Sequence, residues 1–438
     1  MKDDKVATLL EWFNYTEDPD LKSSNNSYIA PSIQVVNSEN YGRGIYANQR
    51  INAKQLLIKI PPSYLLNFTT IIPHITAYSS TKLTDPIYAN IYVPPLNEDR
   101  FSSIYAKLTV SELLNLSSFQ IVSLYLTFEC QRQNSFWKPF IDTLPDISDF
   151  TLNPLIWKVL QVSNYDQLYK ALPKSTKDHA DKVYHRFITD YDVIFQLISQ
   201  KIPNPHEYLS KQRFLWAWMC INSRCLYMNM PQAKNNTDNF TMAPYVDFLN
   251  HSTNDQCELK IDRTGFHVYT TTSYDENEQI FLSYGPHSNE FLLCEYGFMI
   301  PTGNNWNDLD LSDIIIKLLN QDQVEFLKEY EYFGEYTINI QSGLSFRTEV
   351  VLATLQEQDP KESRKLLSLI NGFIDVSNYK KNSNTLLKEL LLKTLHDSNV
   401  FLNLKLEYSD KATNDRFNTI RDLYKIRHDI AQKYIDSL

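Results

Sequence analysis

The feature that most limits how this chain can fold is a change of periodicity, made twice. Short apolar runs at 33–36, 44–47 and 56–60 read as strands and stop at Pro61-Pro62. From about 64 to 230 the apolar residues recur at helical spacing, and past 240 strand-like runs return at 266–269 and 279–282. A sheet interrupted by a helical insert is an α+β signature, not a regular βαβ alternation.

Within this outline the pattern predicts a helix over 5–15, a helix opening at an N-cap on Ser111, helical residues at 119–128, and a helix from Phe214 to Cys225. Beyond Pro301 the chain is again mainly helical. Leu386, Leu387, Leu390 and Leu391 recur at i,i+4, and a last helix spreads Phe417, Ile420, Leu423, Ile430 and Tyr434 over one face. At 438 residues, two or three domains are expected.

Charge and cysteine usage narrow the function. A formal charge of -10 argues against a general nucleic-acid binder, which needs a basic footprint, and is compatible with a basic protein partner. The five cysteines are scattered without a C-x-x-C pair, so neither a disulfide framework nor a structural zinc is indicated. No window approaches a transmembrane span, and Val6 to Phe13 is amphipathic, unlike a signal peptide. An intracellular, reducing compartment is expected.

Three constellations could carry chemistry. Gly42-Arg43-Gly44-Ile45-Tyr46-Ala47 matches G-x-G-x-x-A, but a dinucleotide-binding turn requires a helix after it, and the residues up to Pro61-Pro62 read as extended. Asp247-Phe248-Leu249-Asn250-His251-Ser252 sets polar groups beside an apolar run. It lacks a second His or Cys at metal-ligand spacing and any nucleophile elbow, so spacing alone leaves it undecided. Ser283-Tyr284-Gly285 and Glu295-Tyr296-Gly297 place two tyrosines at the ends of a helical stretch, where a hydroxyl can orient an amine or polarise a reacting group.

Taken in order, the G-x-G, the distant Asn250-His251-Ser252 and the Tyr284-Gly285 about 30 residues later resemble the SET domain. Asp247-x-x-Asn250-His251-Ser252 with Glu278-Gln279-Ile280-Phe281-Leu282-Ser283-Tyr284-Gly285, preceded by Ser223-Arg224, resembles the subfamily typified by the Rubisco large-subunit lysine methyltransferase. Tyr284 to Asn289 with Glu295 to Phe298 resembles SET-domain-containing member four and fungal ribosomal-protein lysine methyltransferases.

That resemblance implies a β-rich SET domain with a pseudoknot, interrupted by a helical insert and followed by a mainly helical substrate-binding domain. The divisions would be 1–63 and 211–301 for the two halves of the SET domain, 64–210 for the insert and 302–438 for the substrate-binding domain. It implies S-adenosylmethionine as cofactor, contacted through the backbone of Tyr41, Gly42, Arg43 and Gly44 and held by Asn250 and His251. Arg224, Asp247 and Tyr296 would line the lysine channel, and Tyr284 would be the catalytic tyrosine and a cofactor contact as well. No metal is implied.

The implied enzyme is a monomeric protein-lysine methyltransferase of the cytoplasm, with the nucleus as a second location left open. It would act on a ribosomal protein or translation factor, without direct contact to nucleic acid or membrane. Leu226, and a run Asp255-Gln256-Cys257-Glu258 without an aromatic, depart from the pattern. They leave the number of methyls open and keep a histidine target as an alternative. A catalytically inactive SET scaffold that binds a protein is the other reading.

Overall fold

In a computed structural model of the chain, the described residues are 4–13, 26–38, 42–227, 239–254, 257–262 and 264–438. They form two compact units, Met1–Phe150 with His185–Gly285, and Thr151–Tyr184 with Pro286–Leu438.

The first unit holds the expected interrupted sheet. Strands β1 (Tyr28–Ile29), β2 (Ile33–Ser38), β3 (Gly42–Ala47) and β4 (Leu56–Ile60) precede the helices. Strands β5 (Leu226–Tyr227), β6 (Phe240–Thr241), β7 (Asn250–His251), β8 (Cys257–Asp262), β9 (Gly265–Thr270) and β10 (Gln279–Leu282) come after them. One sheet runs β1-β4-β9-β8 and another β2-β3-β10-β7, while β5 and β6 pair alone. Each four-stranded sheet is thus built from both sides of the helical stretch, with Ile60 opposite Phe266 and Ile45 opposite Ile280.

The reason is burial. Ile45, Ala47, Leu57, Ile58, Ile60, Phe266, Val268 and Ile280 are all fully buried, and neither half could cover its apolar face alone. Gly265 closes the β8–β9 hairpin at φ +123, where a Cβ would stand 2.0 Å from the Ile60 carbonyl oxygen, so only glycine fits. Because β3 is extended and no helix starts at Gly44, the dinucleotide-binding reading is excluded.

Between β4 and β5 the first unit carries helices Phe68–Thr76, Val110–Asn115, Ser118–Glu129 and Lys211–Arg224. Residues 118–129 form a core helix, with Ile121, Val122, Leu124, Leu126 and Phe128 buried. The expected N-cap on Ser111 is corrected to Thr109. Its hydroxyl accepts from the Glu112 N–H at 3.3 Å, and the Glu112 carboxylate accepts from the Thr109 N–H at 3.0 Å. Thr109 has the acidic partner three residues on that completes a capping box, and Ser111 has Leu114 there instead. The expected helix 5–15 is observed as Asp4–Trp12, and its last two positions lie outside the described residues.

The second unit is mainly helical, as expected beyond 301. The two longest helices wholly within it are Lys380–Leu402 and Lys411–Ile435, longer than the leucine repeat alone indicated. They pack with a small sheet of β11 (Asp308–Asp310), β12 (Thr337–Asn339) and β13 (Gly343–Leu344), which the sequence pattern did not indicate. Strands of two or three residues are too short to show a period of two. Leu309, Ile338, Val350, Leu387, Leu391 and Ile430 share one buried core.

Candidate active site

Three strands of the first unit bring the distant motifs together. β10 pairs antiparallel with β3 only through Gln279 opposite Tyr46 and Ile280 opposite Ile45. At Phe281 it turns to β7, which it meets in parallel, Phe281 beside Asn250 and Leu282 beside His251. The inner edge of Arg43 and Gly44 is therefore left to side chains, and Asn250 fills it. Its Nδ2 donates to the Arg43 carbonyl at 3.1 Å.

His251 and Tyr284 form a stacked pair, ring centroids 5.0 Å apart and planes at 27°. The Tyr284 backbone N–H donates to His251 Nδ1 at 3.0 Å, so a neutral His251 carries its proton on Nε2. The Tyr284 hydroxyl donates to the Leu249 carbonyl at 2.7 Å. With its proton committed, that oxygen can only accept from whatever approaches it, and it faces an incoming group as a fixed dipole. The Leu249 carbonyl is aimed by the single 3-10 turn Val246–Phe248, entered through Tyr245 at φ +69, a strained conformation for a bulky side chain.

Asp247 lies in the same turn with its side chain fully buried, paired with Arg224 at 3.1 Å; Arg224 also donates to the Asp247 carbonyl at 2.9 Å. Burial pushes the Asp247 carboxyl above its usual range and Arg224 pulls it back. Arg43 sits over the Phe248 ring, 5.5 Å from its centroid, and donates to the Thr143 carbonyl at 2.6 Å.

The structure therefore brings Gly42, Arg43, Gly44, Arg224, Asp247, Asn250, His251 and Tyr284 into one unit around the meeting of β3, β7 and β10. Tyr41 lies outside the described residues. Tyr296 belongs to the second unit, at the end of helix Asn289–Tyr296, which Gly297 closes at φ +85. Sequence reasoning missed Phe248 and the carbonyls of Leu249 and Thr143, since a backbone acceptor leaves no mark on residue type.

Both donors and acceptors are left over around this junction, as suits a small polar cofactor with cationic and anionic ends. Asp247 Oδ1, Arg224 Nε and Gln279 Nε2 are buried with no hydrogen-bond partner among the described residues. A Cβ on Gly44 would collide with Gln279 and Asn250, so only glycine lets these two side chains pack onto the backbone there. Among the described residues no cluster of His, Cys, Asp and Glu could hold a metal ion, and all five cysteines are unpaired.

Comparison with known proteins agrees with this geometry. The SET-domain profile matches residues 42–285, and the profile described as the ribosomal lysine N-methyltransferase 2 C-terminal domain matches 307–437. Ribosomal lysine N-methyltransferase 2 of Saccharomyces cerevisiae is 33% identical over 89% of this chain and 89% of its own length. Ribosomal lysine N-methyltransferase set11 of Schizosaccharomyces pombe is 27% identical over 85% of each chain. A crystal structure of the SET domain of LSMT bound to lysine and AdoHcy shares the fold, with a TM-score of 0.58 and 15% identity over 99% of this chain and 91% of that one. The chain belongs to the SET-domain family of protein-lysine methyltransferases, in the branch that carries a ribosomal lysine N-methyltransferase 2 C-terminal domain.

Proposed function

We propose that this enzyme transfers a methyl group from S-adenosylmethionine to a lysine ε-amine of a ribosomal protein. The observation that carries the reading is the junction of β3, β7 and β10. It sets Asn250 against the backbone of Arg43 and Gly44, stacks His251 on Tyr284 and directs the Tyr284 hydroxyl at the Leu249 carbonyl.

When bound, the cofactor supplies a methyl group activated on a sulfonium. Gly42, Arg43 and Gly44 would hold it through backbone groups, Tyr41 joins them on the resemblance alone, and Asn250 and His251 would fix its two ends. The pair of the partly exposed Arg224 with the buried Asp247 would hold the carbonyls that line the lysine channel. Tyr296 lies in the other unit, and its assignment to lysine binding rests on the resemblance alone.

The target lysine, of ordinary pKa about 10.4, must lose its proton before its lone pair can attack, and a desolvating channel lowers that pKa. Tyr284, whose hydroxyl donates a hydrogen bond to the Leu249 carbonyl, would present an oxygen lone pair that polarises the methyl group and aligns the amine. Most of the acceleration would then come from alignment of the amine with the methyl group.

The functional divisions proposed are 1–63, 64–210, 211–301 and 302–438. The protein is proposed to act as a monomer, in the cytoplasm with the nucleus as a second location, on a basic protein without touching nucleic acid itself. The named ribosomal relatives and the net charge of -10 support that reading. The test is transfer of labelled methyl groups to ribosomal subunits from cells in which the gene is deleted, followed by mass spectrometry. Label on a lysine of one ribosomal protein is expected. Label on a protein outside the ribosome, or on histidine, would overturn the substrate assignment.

A further inference from the structure

Gln279 stands where the three strands of the site meet, and none of the roles above uses it. It opens β10 opposite Tyr46, and its Oε1 accepts from the Tyr46 hydroxyl at 2.9 Å. That bond decides which way the carboxamide faces. Nε2 is turned onto the backbone of Gly44, buried and with no acceptor among the described residues. A Cβ on Gly44 would stand 2.4 Å from Gln279 Nε2 and 2.9 Å from Asn250 Nδ2.

Asn250 donates from that same nitrogen to the Arg43 carbonyl. Two side-chain amides, one from β10 and one from β7, thus lie against the same side of Gly44, at the point where β10 has left β3 and, among the described residues, no strand pairs that edge. A glutamine serving only to satisfy Tyr46 would place no constraint on residue 44. Here the carboxamide occupies the space a side chain at 44 would need, and Tyr46 keeps it there.

We infer that Gln279 is a positioning residue of the cofactor site: pinned by Tyr46, its carboxamide sets the orientation of the Gly44 peptide and so the affinity for S-adenosylmethionine. This rests on the reading that the Gly42–Gly44 backbone faces the cofactor. The device also explains why residue 44 is glycine although its backbone lies within a strand. A methyl group there would drive the carboxamide off Tyr46 and displace Asn250 from Arg43.

The test is a double-mutant cycle on the full chain, read by calorimetric titration with S-adenosylmethionine and S-adenosylhomocysteine. Gln279→Ala is expected to weaken both by about tenfold, the loss of one oriented polar contact. Its KM for the cofactor should rise by more than its kcat falls. Gly44→Ala should weaken binding by more, and the double variant should bind about tenfold better than the product of the single losses, because the added methyl then fills space the carboxamide has left.

Losses that simply multiply, or wild-type affinity in both Gln279→Ala and Tyr46→Phe, overturn the role of Gln279 and leave the cofactor reading standing. Wild-type affinity in Gly44→Ala overturns the cofactor reading itself. If Gln279→Ala does not fold, Gln279→Asn takes its place. Asparagine keeps the amide but is one methylene too short to reach both Tyr46 and Gly44, so it must show the same loss, and wild-type binding by it refutes the inference.

Discussion

Removing one oxygen atom separates catalysis from binding in this site. In Tyr284→Phe the ring can still stack on His251, and the backbone N–H can still donate to His251 Nδ1. Only the hydroxyl is lost, and with it the 2.7 Å bond to the carbonyl of Leu249, a residue that is 1% exposed. Leaving a buried carbonyl short of a donor costs about 1–2 kcal/mol. For a unit of this size that lowers Tm by about 2–8 °C, which leaves the protein folded at assay temperature. The effect on the reaction is larger. A preorganised dipole at a reacting group contributes about 2.7–4 kcal/mol, so kcat should fall by about 100- to 1000-fold.

The assay is single-turnover transfer of labelled methyl groups at saturating cofactor and substrate, with cofactor affinity measured separately by titration. Affinity within about threefold of wild type is expected, since the ring and backbone contacts of residue 284 are kept. A kcat within tenfold of wild type would refute the role given to the hydroxyl. A fall in kcat matched by an equal loss of cofactor affinity would also refute it, because the hydroxyl would then be holding the site together and not acting on the reaction.

Two further perturbations test the physical account. Arg224→Met leaves the fully buried Asp247 carboxylate without its cation, and urea unfolding should show a loss of about 3–5 kcal/mol, with Asp247→Asn in the same background restoring part of it. In the second unit, burial raises the Asp308 carboxyl from 3.8 to about 6, with Glu290 and Asp310 adding repulsion. The folded state then holds a proton that the unfolded state has released, so this group's stabilisation is complete below about pH 3.8 and is lost as pH rises through about 6. Asp308→Asn should therefore stabilise the protein at pH 8 by about 1–2 kcal/mol and flatten its stability profile between those values. An unchanged profile would show that Asp308 titrates normally.

Much of the secondary structure was legible in the sequence because it obeys local rules. The runs at 266–269 and 279–282 became β9 and β10, and the last helix buries Phe417, Ile420, Leu423 and Ile430 as its spacing indicated. What local rules could not reach was mispredicted or missed. The cap moved from Ser111 to Thr109 because a capping box depends on the residue three positions on. The sheet of β11, β12 and β13 was too short to show any period.

The site divides along the same line. The sequence by itself determined which residue types are present and in what order, and Gly42-x-Gly44, Asn250-His251 and Tyr284-Gly285 were enough to indicate the family. Only the tertiary structure decided what they do to one another. Tyr46 and Gln279 are 233 positions apart and share a hydrogen bond, Asn250 reaches a backbone oxygen of Arg43, and the proton of Tyr284 goes to the carbonyl of Leu249. Strand pairing across a long insert sets each of these contacts, and two of the acceptors are main-chain oxygens that every residue carries, so no choice of side chain announces them.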